Sequence, residues 1–260
     1  LRITFLGTGT SQGVPLVGCK CPVCCSPDPK NNRKRPSLWL EFAGKSVLID
    51  TSPEFRLQAL ECGISHIDAV LFTHAHADHI FGFDDIRRFN QMQRQTIPIY
   101  ASANTIAVLK GLFSYAFAVN EDNWAVPRAR AMIIDGDFSL FGQLCQPLLV
   151  YHGALPVTAF RIGDFAYVTD CSLIPAKTMS QLYGLDVLVI DALRYRPHTT
   201  HFNVDQALQV INTLQPKQAY LTHMCHEVEH TQLAASLPPT VAPAYDGLVI
   251  EVSQPPTKVI

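Results

Sequence analysis

The stretch Thr73-His74-Ala75-His76-Ala77-Asp78-His79 places four metal-capable side chains within six residues. It follows the apolar run Ala69-Val70-Leu71-Phe72, so it stands where a buried strand should end. Side chains repeat every two residues along a strand, which sends His74 and His76 to one side. The chain must then turn, and Asp78 and His79 approach a second position from that turn or from a helix start. Imidazole and carboxylate together suit zinc, manganese or iron better than calcium. Further donors stand in the same context, a short apolar run followed by a ligand type. They are His152 after Leu148-Leu149-Val150-Tyr151, Asp170 after Phe165-Ala166-Tyr167-Val168-Thr169, and His223 after Ala219-Tyr220-Leu221-Thr222. A second cluster is made of sulfur. Cys19, Cys21 and Cys24 form a Cys-x-Cys-x-x-Cys run, in which three thiolates can share one zinc if a fourth ligand comes from elsewhere. His226 is the foremost candidate, three residues beyond His223, with His230 and Cys25 as alternatives.

These donors need a scaffold of strands with helices between them. A hairpin is predicted from Ser37–Phe42 and Ser46–Asp50 around Ala43-Gly44-Lys45. A helix is predicted over Glu54–Cys62, with Phe55, Leu57 and Leu60 as its apolar positions and Gly63 as its C-cap. Asp84–Gln93, Asn104–Ala116 and Val204–Leu214 also read as helices, the last with Asn203 as N-cap. Strands are expected at Gln146–His152, Val157–Ile162, Phe165–Thr169, Val187–Asp191, Gln218–Thr222 and Gly247–Val252. The layout is α/β in layers, one domain over residues 1–253, with a flexible Pro-containing tail at 254–260.

Composition narrows the class. Of 260 residues 48% are apolar and 16% charged, which excludes a disordered chain. Twenty basic against twenty-two acidic residues leave a formal charge of −2, which argues against a broad nucleic-acid or anionic-membrane surface. No apolar run is long enough to span a bilayer, and Leu1–Leu6 alternates like a strand rather than a secretory signal. A cytoplasmic protein with reduced cysteines is expected: a chain of this size needs no disulfide staples, and four of its eight cysteines crowd into seven residues.

With its His74-Ala75-His76-Ala77-Asp78-His79 core, the separate His152 and Asp170, the late His223, and Asp50 after Val47-Leu48-Ile49, the sequence resembles the metallo-β-lactamase superfamily over nearly its whole length. The resemblance implies a four-layer αβ/βα sandwich with a dinuclear site along one edge of its two sheets. It assigns His74, His76 and His152 to one metal and Asp78, His79 and His223 to the other. Asp170 would bridge the two, and Asp50 would support the site without ligating.

Gly13-Val14-Pro15, the three cysteines, Thr222-His223-Met224-Cys225-His226 and Tyr245-Asp246-Gly247 are similar to the PhnP branch, phosphodiesterases associated with phosphonate breakdown. That branch carries a structural zinc on its N-terminal cysteines and a late histidine, here Cys19, Cys21, Cys24 and His226. His201, in His198-Thr199-Thr200-His201, matches a non-ligand histidine that faces the scissile group, while His198 reads as a loop residue. An imidazole can protonate a leaving alkoxide, so His201 and Asp78 are the expected catalytic residues. Arg87, Arg88 or Arg194 could clamp a substrate phosphate, although Asp84 to Asn90 reads chiefly as a capped, charge-balanced helix.

The implied activity is hydrolysis of a small, ribose-type cyclic phosphodiester by a metal-activated hydroxide. It would use two catalytic divalent metals (manganese, zinc or iron) and one structural zinc. The expected partner is that small substrate, with a homodimer left open and neither membrane nor nucleic acid involved. The alternatives are a tRNA 3′-processing endoribonuclease, for which no Gly/Pro/basic arm is present to grip tRNA, and a lactonase or lactamase of the same fold. A di-iron oxidoreductase would place a carboxylate at Ala75 or Ala77. A non-enzymatic domain would have lost ligands.

Overall fold

The computed structural model describes residues 1–118 and 124–253; the tail expected at 254–260 lies outside the described residues. Strands β1 (Arg2–Gly7), β2 (Ser37–Phe42), β3 (Lys45–Ile49), β4 (Ala69–Leu71), β5 (Ile97–Ala101) and β6 (Ala129–Ile133) lie side by side in that order. A second sheet runs β7 (Phe138–Leu140), β8 (Gln143–His152), β9 (Leu155–Ile162), β10 (Phe165–Val168), β11 (Val187–Asp191), β12 (Gln218–Thr222) and β13 (Val241–Pro243). The last strand, β14 (Val249–Glu251), returns to the first sheet beside β1, so each sheet has seven strands.

Three buried clusters define the layers, and strand alternation feeds them. On β10, Phe165 and Tyr167 enter the cluster between the sheets while Ala166 and Val168 enter the cluster under the outer helices. On β3, Val47 and Ile49 face the opposite sheet and Leu48 faces the helices on its own side. Helices α1 (Phe55–Cys62), α2 (Ala77–Ile80), α3 (Ile86–Gln93) and α4 (Ala103–Leu112) follow strands of the first sheet. Helices α5 (Ala176–Gln181), α6 (Val204–Leu214) and α7 (His230–Ser236) follow strands of the second. The result is the expected αβ/βα sandwich.

Differences from the predicted elements have local causes. α1 buries Phe55 and Ala59, but Gln58 goes inward with them and Leu60 is 65% exposed. The buried amide is satisfied: Gln58 Nε2 donates to the Arg35 carbonyl at 3.0 Å and its Oε1 accepts from Ser52 Oγ at 2.9 Å. A carbonyl from the preceding β1–β2 connection and a hydroxyl just ahead of the helix thus override the apolar pattern. The helix predicted at 84–93 begins as a 3-10 turn over Phe83–Asp85. Strands β5, β6, β7 and β13 were not predicted; their short runs carry Pro98, Arg130, Ser139 and Pro243, which weaken any alternation signal.

What matters for function is direction. β3, β4 and β5 pair in parallel, as do β10, β11, β12 and β13. Their carboxyl ends therefore emerge along one edge of the sandwich, where ligands bind in open parallel sheets.

Candidate metal centre

The residues at those strand ends form one cluster. Asp50 follows β3, the His74–His79 motif follows β4, Asp170 follows β10, Asp191 ends β11 and His223 follows β12. Asp50, Asp170 and His223 all hold positive φ, at 63°, 47° and 59°. Left-handed backbone costs a non-glycine residue on the order of 1 kcal/mol or more and persists only where the surroundings fix it. Here it turns each side chain sharply back over the edge of the sheet. The motif itself is clamped to the β3–α1 turn: Thr51 N donates to the His79 carbonyl at 2.8 Å and Gly82 N to the Thr51 carbonyl at 3.0 Å. A Cβ on Gly82 would meet the Ser52 carbonyl oxygen at 2.0 Å, so only glycine lets the backbones approach so closely.

Donor atoms of Asp78, His79, Asp170 and His223 converge within 4.8 Å of one another, as do those of His74, His76 and Asp170. Asp170 is common to both groups and lies 3.1 Å from His79 Nε2, 3.2 Å from His223 Nε2 and 3.8 Å from His74 Nε2. His152 joins on the far side, its ring 5.2 Å from that of His76 and its donor within reach of Asp170. All seven residues singled out from the sequence are thus brought together.

Three of their outer nitrogens are spoken for, while Nδ1 of His223 is buried without a partner. His79 Nδ1 donates to Asp50 Oδ2 at 2.7 Å, His152 Nδ1 to the Thr200 carbonyl at 2.7 Å, and His74 Nδ1 to Thr73 Oγ1 at 3.0 Å. Thr73 in turn donates both its amide and its hydroxyl to Asp50. Such bonds fix the tautomer and leave each Nε2 lone pair aimed inward. Nε2 of His74, His79 and His223 and Oδ2 of Asp78 are buried without any partner. Buried polar atoms are normally satisfied, and the group that would satisfy this set is a cation. The donor types and the orphaned atoms fit divalent metal.

The electrostatics agree. Asp78 and Asp170 are held well below the usual carboxylate range, because neighbouring imidazoles outweigh the cost of burial. Burial opposes a charge on His223, yet Asp170, Asp78 and Asp191 raise its pKa to about 9. His79 moves the same way, while burial and neighbouring rings push His74 down. Without metal, protons stand in for cations.

One functional residue was missed. Asp191 Oδ2 accepts from His201 Nδ1 at 2.7 Å and from Cys171 N at 2.9 Å, at full burial. The signal was there: Val187-Leu188-Val189-Ile190-Asp191 is another apolar strand ending in a ligand type. His201 stacks at 4.8 Å on His223 and edge-on at 4.4 Å to His152, with its Nε2 free of any protein partner among the described residues. It is held there by the capping box of α6, in which Asn203 and Gln206 each accept the other's backbone N–H. His198 lies 5.3 Å from His201 and accepts from Thr200 N, as a loop residue.

The arginines form no hydrogen bond or ion pair to this cluster among the described residues. Arg87 pairs with Asp84, and Arg88 lines a groove with Phe55, Leu60 and Phe89; neither bonds to the cluster among the described residues. Arg194 donates to the carbonyls of Arg196 and Pro197 and lies 3.8 Å from Glu227. It braces the loop that leads to His201.

The sulfur group is also assembled. Sγ of Cys19, Cys21 and Cys24 lie 3.4, 3.5 and 3.6 Å from His226 Nδ1. A tetrahedral zinc with Zn–S near 2.3 Å and Zn–N near 2.0 Å has S···N edges of about 3.5 Å, so the four donors fit it. The Cys24 amide draws the Cys21 thiol down to about 6, and burial raises Cys24 to about 11. Cys25 stands exposed outside the group and His230 packs edge-on to Tyr245, so neither alternative fourth ligand is used. All eight cysteines are free.

Two facing sheets with a His/Asp cluster along one edge define the metallo-β-lactamase fold, and residues 45–224 match the family described as Beta-lactamase superfamily domain. The chain belongs to that superfamily and, within it, to the PhnP family. A solved structure described as a new diphosphatase from the PhnP family is 41% identical, superposes with a TM-score of 0.90 and covers 96% of each chain. A curated octanoyltransferase of Porphyromonas gingivalis is 37% identical over 253 residues, which are 95% of this chain. The chain spans about half (51%) of that relative's length. A ribonuclease Z of Methanopyrus kandleri is 41% identical over 84 residues, 32% of this chain and 24% of that one.

Proposed function

We propose that this protein is a metal-dependent hydrolase of a small phosphodiester, with a ribose-type cyclic phosphate as the substrate class. The observation that carries the reading is the set of buried, partnerless donor atoms around Asp170, with the His201–Asp191 pair beside it. His74, His76 and His152 would hold one divalent cation and Asp78, His79 and His223 the other, with Asp170 between them. Two such cations supply Lewis acidity to a phosphoryl oxygen and lower the pKa of water at neutral pH.

The protein's own residues do the rest. Asp50, Thr73 and the Thr200 carbonyl keep His79, His74 and His152 in the tautomer that offers Nε2. Asp78 contributes a carboxylate that stays ionised throughout the working range. Asp191 holds His201 by Nδ1, so Nε2 can pass a proton to the leaving oxygen. The thiol next to Asp170 in the chain, Cys171, is buried and its pKa is pushed far up by burial, which makes it a poor nucleophile for covalent acyl transfer. A second reading, cleavage of a diphosphate linkage, is favoured by the description of the 41% identical PhnP-family structure.

The metal-loaded protein should be assayed side by side on a ribose cyclic phosphate, an aryl phosphodiester, a diphosphate diester, a tRNA precursor, a lactone and a β-lactam. Turnover of the cyclic phosphate and the aryl diester above the rest is the expected result. Preference for the diphosphate selects the second reading, and cleavage of tRNA alone overturns both.

A further inference from the structure

Arg33 is among the largest side chains with essentially no exposure, and it makes no ion pair among the described residues. Burying an unpaired guanidinium costs several kcal/mol unless its protons find acceptors. Here Nη1 and Nη2 find them while Nε is left buried without a partner, and both carbonyl acceptors belong to one segment. Nη1 donates to the Cys225 carbonyl at 3.0 Å and Nη2 to the Val228 carbonyl at 2.8 Å. Nη2 also donates to Asn31 Oδ1 at 3.1 Å, and the same oxygen accepts from His230 N at 2.9 Å. At its other end, the Arg33 backbone exchanges both hydrogen bonds with Val14, just ahead of the cysteine run.

The grasped segment carries two ligands three residues apart, His223 for the His/Asp cluster and His226 for the sulfur group. His223 sits in the left-handed region at φ 59°, which its surroundings must maintain. Met224 N donates to the Thr8 carbonyl and Cys225 N to the Leu193 carbonyl, which fix the start of the turn. The Cys225 carbonyl accepts from the Val228 amide at 3.2 Å, and among the described residues only Arg33 holds it by a side chain. A shift of that carbonyl would displace both imidazoles at once.

We infer that Arg33 is a positioning residue, a tether that keeps His223 and His226 in register and thereby couples the two metal-ligand groups to each other. The inference rests on reading both groups as metal sites. It predicts that loss of the guanidinium weakens metal binding at both groups although Arg33 touches no metal ligand's side chain.

The test is a cobalt(II) titration of the full chain, because thiolate-to-cobalt charge transfer reports the sulfur group separately from the His/Asp cluster. Arg33→Met should lower cobalt affinity at both groups by about 10- to 100-fold. Its kcat on an aryl phosphodiester should fall by a similar factor while KM stays near that of the unaltered protein. Arg33→Lys, which keeps a donor to one carbonyl, should recover part of both losses. If Arg33→Met fails to fold, Asn31→Ala reads the same tether from its second anchor and should weaken both affinities to a smaller degree. Unchanged cobalt affinity at either group in a folded Arg33→Met, or in folded Asn31→Ala where the first does not fold, overturns the inference. The affinities decide this point whether or not the protein hydrolyses a phosphodiester, so the two readings fail separately.

Discussion

The two metal-ligand groups of this protein are built by opposite means. The His/Asp cluster stands on the ends of strands, is buried except at His76 and His152, and has every outer imidazole nitrogen but those of His76 and His223 committed to a partner. The sulfur group sits on an irregular loop, half-buried, with backbone N–H···S bonds to Cys21 and Cys24 as its main support. Sheet packing pre-pays the ordering of the first, so metal there has chemistry left to do. In the second, metal must do the ordering, and its binding free energy goes into structure. The difference predicts that damage to the first removes activity from a folded protein, whereas damage to the second removes stability first.

Asp170→Ala should show the largest effect, because that carboxylate is the one atom group shared by both halves of the cluster. Activity should fall by more than the roughly 10- to 100-fold that an outer partner contributes. Elemental analysis should find fewer metal equivalents in protein that is still folded. His201→Ala should keep the metals and lose about 10²- to 10⁴-fold in kcat, the usual range for a proton donor. If it lost metal instead, His201 would be a ligand and the proton-transfer role would be wrong. Asp191→Asn should fall between these and a neutral change, about 10- to 100-fold in kcat, since the amide can still orient the ring without stabilising its charge.

The same contrast explains what could be read without coordinates. An apolar run followed by His or Asp is a local pattern, and every cluster ligand carried it, from His74 to His223. The same runs implied α/β layers, and the resemblance to the metallo-β-lactamase superfamily implied the sandwich. Asp191 carried the pattern too, but a carboxylate at a strand end also caps and turns, and only its 2.7 Å contact with His201 separates the roles. Arg33 had no readable signal, since its partners are backbone carbonyls nearly two hundred positions away. α1 misled for a similar reason: what draws Gln58 inward is the Arg35 carbonyl that accepts from it and the Ser52 hydroxyl that donates to it. Local periodicity reports the side chains and is silent about backbone groups that meet in three dimensions.

Cys21→Ser tests the other half of the comparison. Removing one of three thiolates should release the zinc and free the loop from Leu16 to Cys25, at a cost on the order of 2 kcal/mol. For a chain of this size that lowers the melting temperature by roughly 4–8 °C. Activity at a temperature well below the transition should change less than in His201→Ala. A variant that melts normally but has lost turnover would mean that the sulfur group takes part in the chemistry.

The smallest effect concerns protons. In metal-free protein His223 titrates at about 9, raised from 6.5 because the carboxylates of Asp170, Asp78 and Asp191 outweigh its burial. A histidine raised on folding stabilises the fold in full below its unfolded pKa and loses that contribution as pH climbs through the folded value. The metal-free melting temperature should therefore fall between pH 6.5 and 9, by the equivalent of a few kcal/mol at most. Loaded protein should not show the loss, because a cation then answers the same carboxylates and no proton is left to remove. Below pH 6.5 the order reverses: protons compete for His223, metal affinity falls, and the loaded and metal-free curves approach each other. Melting curves taken across this range with and without chelator check the point. Parallel curves from pH 6.5 to 9 would show that the carboxylates do not hold a proton on His223, and that the cluster's negative charge is balanced in some other way.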